Sequence, residues 1–191
     1  MGFYNLTAKT YDVQYYEEQK AKIEAALKTI KIGCNSLILD MGCGTGLLFD
    51  HVACKVERVV GLDFSKSMLK IAKKRAENFN NIDLVLADAD YAPFKEGIFS
   101  HIFAVTLLQN QPNPRKTLKE MKRIAERNAL IVVTGLKKKF SYSLFEELLS
   151  NIGLETIEIL KGESLKCYIA VCRNSPIKFH IVKANIYERK V

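Results

Sequence analysis

The stretch Leu37-Ile38-Leu39-Asp40-Met41-Gly42-Cys43-Gly44-Thr45-Gly46 decides the fold. With Ser36 before it, the first half is a short, nearly unbroken apolar run, as expected of a strand buried on both faces. It runs directly into three glycines, and residues 46–51 read as the opening of a helix. Glycines are needed where a turn is tight and where the backbone must approach a ligand that a Cβ would hold off. The N–H groups at the start of the helix then face that ligand. The spacing is G-x-G-x-G, whereas dinucleotide sites use G-x-G-x-x-G. Asp40 stands two residues before the first glycine. A carboxylate there would repel a pyrophosphate and suits a cationic group such as an ammonium.

Outward from this loop, strand and helix patterns alternate. Residues 58–63 form a second apolar run ending on Asp63. An acid at that place can accept both hydroxyls of a ribose, or it can cap the helix that follows. Ser65 is a candidate cap for a helix that turns Met68, Ala72, Ala76 and Phe79 to the sheet. Further strands are expected at 82–87, 101–105 and 129–134. A helix is expected over 114–127 with Leu118, Met121 and Ala125 inward, and another over 141–151, closed by Gly153. Residues 155–160 and 165–172 read as strands joined through Lys161-Gly162-Glu163-Ser164 as a hairpin. Before the glycine loop, residues 13–30 read as a helix with Ile23, Ala26, Leu27 and Ile30 on one stripe.

This order predicts an α/β fold: a doubly wound, seven-stranded, mostly parallel sheet with an antiparallel C-terminal hairpin and helices on both faces. The hairpin is expected to add an antiparallel strand to one edge. One domain is expected over 1–191, with 1–35 as an N-terminal lid or helix, 36–173 as the core and 174–191 as an extension. In the extension Ile177, Phe179 and Ile181 alternate, as in an extra strand or a flexible arm.

Composition agrees with one globular unit: 191 residues, 48% hydrophobic and 26% charged. Lys plus Arg is 29 and Asp plus Glu is 21, a net charge of +8. Such an excess points either to a polyanionic partner or to a solvated basic surface. The opening residues lack a basic start followed by an apolar run, and no apolar stretch is long enough to cross a bilayer, so neither a secretory leader nor a membrane span is expected. A cytoplasmic place with reduced thiols is expected for Cys34, Cys43, Cys54, Cys167 and Cys172, no two of which have zinc-knuckle spacing, and no metal is expected.

Three runs resemble the motifs of class I S-adenosylmethionine-dependent methyltransferases. The glycine loop is similar to their first motif, Val60-Gly61-Leu62-Asp63-Phe64-Ser65-Lys66-Ser67-Met68-Leu69 to their second, and Leu86-Ala87-Asp88-Ala89-Asp90-Tyr91-Ala92-Pro93-Phe94 to their third. Tyr11-Asp12 followed by Tyr15 resembles the N-terminal lid of the ubiquinone-biosynthesis-type subgroup, also described as methyltransferase type 11. The resemblance spans residues 10–173. It implies S-adenosylmethionine as cofactor. Asp40, Gly42, Cys43, Gly44 and Gly46 would hold its methionine end, with Tyr11 and Tyr15 from the lid. Asp63 would hold the ribose, Phe64 would flank the adenine, Asp88 and Ala89 would read the adenine edge, and Met68 is a further candidate cofactor contact. Val105 would offer its carbonyl to the ammonium. The chain departs from the pattern at Phe99-Ser100, where the family has Phe-Asp, at Leu108-Gln109-Asn110, where it often has a His pair, and at Arg127-Asn128, where it has Gly-Gly.

Methyl transfer needs alignment and exclusion of water, and a base only when the acceptor must lose a proton. Gln109 and Asn110, in the loop after the fourth strand, are the candidate catalytic residues; the alternative is an ordinary polar loop before a proline-started helix. His101 is expected to be structural. For the acceptor, the basic groups Lys73-Lys74-Arg75, Arg115-Lys116 with Lys119, Lys122 and Arg123, and Lys137-Lys138-Lys139 favour RNA, with transfer RNA as the candidate. The alternatives are a small-molecule acceptor, or a cofactor-binding homologue without catalysis. A small helper subunit is a further expected partner.

Overall fold

The computed structural model describes residues 2–162 and 165–175, with side chains from residue 15 onward. Seven strands form one sheet in the order β3-β2-β1-β4-β5-β7-β6. In chain order they are β1 (Leu37–Met41), β2 (Arg58–Asp63), β3 (Ile82–Leu86), β4 (Phe99–Ala104), β5 (Ala125–Leu136), β6 (Glu155–Leu160) and β7 (Cys167–Arg173). β1 to β5 run parallel, while β7 is antiparallel to both β5 and β6. The antiparallel strand therefore lies inside the sheet, inserted between β5 and β6, and β6 forms the edge. This corrects the expectation of an antiparallel strand at the edge. The reason is burial: β7 is apolar on both faces, whereas β6 is largely exposed.

Alternation along each strand divides the core in two. Leu39, Met41, Ile102, Ile131 and Val133 face α4 (Pro114–Ile124) and α5 (Tyr142–Ser150). Ile38, Val59, Phe103, Val132 and Ile169 face the other layer, built from α1 (Gly2–Thr29), α2 (Phe49–Val52) and α3 (Lys66–Ala76). α1 contributes Ile23 and Ala26 to that layer, and its helical run begins well before the residue 13 expected from the apolar stripe.

Side-chain caps start the helices as their sequence signals require. Ser65 accepts the Met68 N–H, Asn113 accepts that of Lys116 ahead of Pro114, and Ser141 accepts that of Leu144. α4 stops at Ile124, not at residue 127, and residues 125–127 already belong to β5. The Asn174 carboxamide accounts for this: its Nδ2 donates to the carbonyls of Lys122, Ala125 and Glu126 at 3.0–3.2 Å. Asn128 then turns in the left-handed region at φ 66°, a conformation that Asn tolerates better than most residues.

His101 is structural, as expected. Its Nε2 faces the Lys31 carbonyl at 3.1 Å and its Nδ1 faces Ser100 Oγ at 3.0 Å. Burial pushes its pKa down, and its Nε2 donates to the Lys31 carbonyl, while Ser100 Oγ donates to the Leu37 carbonyl at 3.1 Å. Ser100 also accepts the Leu37 N–H and so links β4 to β1. The extension 176–191 and its alternating apolar residues lie outside the described residues.

Candidate functional site

Strand order reverses between β1 and β4, and a crevice opens there beyond the carboxyl ends of the parallel strands. A cavity of about 500 Å³ fills it, within the range of small-molecule sites. Each of the first four strands supplies a wall. Gly42 and Gly44 come from the loop after β1, Asp63 and Phe64 from the end of β2, Leu86 to Ala89 from the end of β3, and Val105 to Leu107 from the end of β4. Asn110, Gln111 and Pro112 close the remaining side. A smaller cavity adjoins it under α1, lined by Gln19, Asp40, Cys43 and Thr45 and sharing Gly42, Gly44 and Val105 with the first.

The glycine loop is held from below. The N–H groups of Gly42 and Cys43 both donate to the Leu62 carbonyl, at 2.7 and 2.9 Å. Asp63 Oδ2 accepts the Gly44 N–H at 2.9 Å, and Oδ1 accepts that of Ser65 at 2.8 Å. Asp63 thus has two roles: it orders the loop and the start of α3, and it keeps lone pairs toward the cavity. Burial pushes its pKa up, and the backbone N–H groups counter this only in part.

The three glycines differ in what they do. Gly44, at φ 54°, has open space where a Cβ would stand, so a side chain there would enter the cradle itself. A Cβ on Gly46, at φ 81°, would lie 2.4 Å from the Phe49 ring. Gly46 lines neither cavity, and its lack of a Cβ lets Phe49 of α2 pack under the loop.

Asp40 is buried at the smaller cavity. Burial pushes its pKa up to about 8, with the neighbouring Asp63 charge adding to the rise. Cys43, at the same wall, is a buried neutral thiol whose pKa burial raises. Phe64 and Leu86, 43% and 55% exposed, stand at the mouth of the larger cavity, with Met68 buried behind them. Asp88 also lines the cavity and accepts the Asp90 N–H through Oδ1.

Asn110 and Gln109 part company. Asn110 lines the cavity and donates through Nδ2 to the Thr106 carbonyl at 2.8 Å. Gln109 lines neither cavity, and its Oε1 is buried without a hydrogen-bond partner. The short 3₁₀ turn Leu108–Asn110 sends adjacent side chains in different directions, so the structure removes Gln109 from the wall. Tyr15 is half-buried and lines neither cavity, and the Tyr11 side chain lies outside the described residues.

Three residues at the site carry no signal in the sequence: Gln19, Lys22 and Thr106. Thr106 takes φ 64°, rare for a β-branched residue. Nothing in the local pattern marks it, because long-range partners impose the conformation.

Much of the basic sequence is engaged within the fold. Arg75 binds the Thr45 carbonyl and Asp50. Lys122 donates to the carbonyls of Ile152 and Gly153, and Arg123 to those of Ala92 and Phe94. Lys137 donates to the Gly162 carbonyl, and Lys116 lies 3.4 Å over the Tyr91 ring. Among the described residues no helix is long and apolar enough to cross a membrane, and no three His, Cys, Asp or Glu side chains group as metal ligands would.

Comparison with known proteins agrees with this geometry. A family model described as a methyltransferase domain matches residues 39–133. Demethylmenaquinone methyltransferase of Staphylococcus saprophyticus is 30% identical over 137 residues, covering 68% of this chain and 58% of that protein. That of Staphylococcus haemolyticus is 31% identical over 137 residues, covering 68% and 57%. The chain thus spans less than two thirds of the length of these curated relatives. A putative methyltransferase of Haloferax volcanii, solved in complex with the Trm112 methyltransferase activator, has the same fold, with a TM-score of 0.80 at 14% identity over 92% of this chain and 99% of that one. The [4+2]-cyclase SpnF superposes with a TM-score of 0.75 at 16% identity, over 82% of this chain and 80% of its own.

Proposed function

This chain belongs to the class I Rossmann-fold S-adenosylmethionine-dependent methyltransferases, and on that premise we propose that it methylates a small, largely apolar acceptor. The observation that carries the cofactor is the paired cavity at the switch point, with the buried Asp40 on one side and Asp63, Phe64, Leu86 and Asp88 on the other; the small-molecule acceptor draws its support from the relatives named for demethylmenaquinone. Similar folds serve other chemistry, as the cyclase does, so function follows from the site and not from the fold.

The residues fit the cofactor. Gly44 leaves the space that a Cβ would fill, and the buried Asp40 carboxyl offers a counter-charge to an ammonium. Asp63 has lone pairs for two ribose hydroxyls, and Phe64 and Leu86 flank a flat ring. When bound, S-adenosylmethionine supplies a methyl group already activated by its positive sulfur. The protein aligns the acceptor in front of it and keeps water out.

Among the described residues, neither cavity is lined by a His or Lys side chain, and the carboxylates Asp40, Asp63 and Asp88 are taken up by the cofactor. That suits an acceptor acidic enough to lose its own proton, such as a quinol ring. The demethylmenaquinone named for the relatives is the first candidate, provided that it arrives already reduced by two electrons to its quinol. RNA, expected from the charge, draws less support, because many of the basic side chains already hold carbonyls, rings or carboxylates of the fold itself.

Incubation with methyl-labelled S-adenosylmethionine and separate lipid-soluble, RNA and protein fractions tests this reading. Label in the lipid-soluble fraction is expected. Label confined to RNA would overturn the acceptor class, and absence of S-adenosylhomocysteine binding would overturn the methyltransferase reading.

A helper chain is a second proposal, supported by the Haloferax volcanii protein of the same fold solved with an activator. Co-expression with a candidate activator should raise methyl transfer; an unchanged rate with a demonstrably bound partner counts against it.

A further inference from the structure

α1 reaches the site through one patch of its inner face. Gln19 and Lys22 are both buried there, Lys22 to 2% exposure. A lysine so deep needs partners. Lys22 Nζ donates to Glu18 Oε1 at 2.8 Å and to Thr106 Oγ1 at 3.2 Å. The other Glu18 oxygen accepts from Lys166 Nζ at 2.9 Å, just before β7. Burial pushes the Glu18 carboxyl up, but hydrogen bonds and charge from Lys22 and Lys166 more than reverse this, and its pKa ends below the ordinary value.

The chain of contacts ends on a residue of the cavity wall. The Thr106 hydroxyl donates to Gln19 Oε1 at 2.7 Å, its N–H donates to Thr134 Oγ1 at 2.7 Å, and its carbonyl accepts from Asn110 at 2.8 Å. Every polar atom of Thr106 is thereby held, which is what a β-branched residue in the left-handed region requires to stay there. Val105, its neighbour, lines both cavities, and Gln19 lines the smaller one. A staple that served only to pin α1 to the sheet would have no need to end on a strained turn at the seam between the two.

We propose that Glu18, Gln19 and Lys22 are positioning residues: they hold the Thr106 hydroxyl so that the left-handed turn after β4 keeps the Val105–Thr106 backbone against the amino-acid end of the cofactor. The inference rests on the reading that S-adenosylmethionine occupies the paired cavities. It assigns α1 a share in cofactor recognition without a contact to the sulfur or to the methyl group.

Calorimetric binding to the full chain tests it with two probes. S-adenosylhomocysteine carries the amino-acid group, and 5′-methylthioadenosine lacks it. Lys22→Met should weaken S-adenosylhomocysteine by about tenfold or more and leave 5′-methylthioadenosine within about twofold. Adding Thr106→Gly should restore most of the loss, because glycine adopts the left-handed turn without the network. Equal weakening of both probes, unchanged S-adenosylhomocysteine binding, or no restoration by glycine would overturn the proposal. Should Lys22→Met fail to fold, Glu18→Gln, which leaves both cavity linings untouched, carries the same outcomes with the same glycine partner. A wild-type chain that binds neither probe overturns the methyltransferase reading and the latch with it. Wild-type binding of both probes with no discrimination by the variants removes the latch alone.

Discussion

The Asp63 carboxylate and the Gly44 amide lie 2.9 Å apart, and this contact locks the end of β2 to the glycine loop. Its partner oxygen holds the Ser65 N–H. Asp63→Ala leaves both amides without an acceptor and should destabilise the protein by about 2–6 kcal/mol, from roughly 1–3 kcal/mol for each unsatisfied donor. Asp63→Asn keeps one acceptor oxygen and should fall between. Both should also weaken S-adenosylhomocysteine. Denaturant melts and calorimetry check this; a variant that loses affinity with no loss of stability would assign Asp63 to the ligand alone.

Asp40 should make cofactor binding depend on pH. Its pKa rises from 3.8 to about 8, so the carboxyl of the apoprotein is mostly protonated at pH 7. A raised folded pKa means that stability is present below the unfolded value and falls as pH climbs through the folded one. The apoprotein should therefore lose stability between about pH 4 and pH 8, and Asp40→Asn should flatten that fall. Binding a cationic ligand favours the ionised form and should release a proton at pH 7. Calorimetry in buffers of different ionisation enthalpy reads that proton, and its persistence in Asp40→Asn would assign it elsewhere.

The glycines should separate folding from binding. Gly46→Ala drives a Cβ to 2.4 Å from the Phe49 ring at φ 81°, so loss of folding or a large drop in melting temperature is expected. Gly44→Ala meets open space and carries backbone strain of about 1–2 kcal/mol. It should fold and lose cofactor affinity. A reversed order in thermal melts and binding would refute the assignment of the two positions.

Phe64 and Leu86 flank the mouth of the larger cavity. Phe64→Ala should weaken both S-adenosylhomocysteine and 5′-methylthioadenosine by about 1–3 kcal/mol, the usual range for a base stacked on an aromatic ring. Leu86→Ala should have a smaller effect of the same kind. Equal affinity of Phe64→Ala and wild type for both probes would move the adenine to another wall.

Asn174→Ala gives the contrasting case. It removes a donor from the carbonyls of Lys122, Ala125 and Glu126, far from either cavity. A loss of about 1–3 kcal/mol in stability is expected, with ligand affinity unchanged. A change in affinity would show that the end of α4 is coupled to the site.

Much of this protein was determined by sequence alone, and for a physical reason. The strands flanking the glycine loop, the cap Ser65 and the place of Asp63 at the end of β2 follow from short-range rules of burial, periodicity and left-handed turns. Those rules act over a few residues, so local order exposes them. Contacts between residues distant in the chain decided the rest. The early end of α4 depends on Asn174. The inner place of β7 depends on which strand is apolar on both faces. The basic runs Lys122-Arg123 and Lys137 look like a surface for a polyanion until carbonyls of other elements are found beneath them. Above all, neither the left-handed Thr106 nor the buried Lys22 leaves a trace in its own neighbourhood, because each is stabilised by the other across 84 positions. The sequence determined where the cofactor loop lies, and tertiary structure alone decided what braces it.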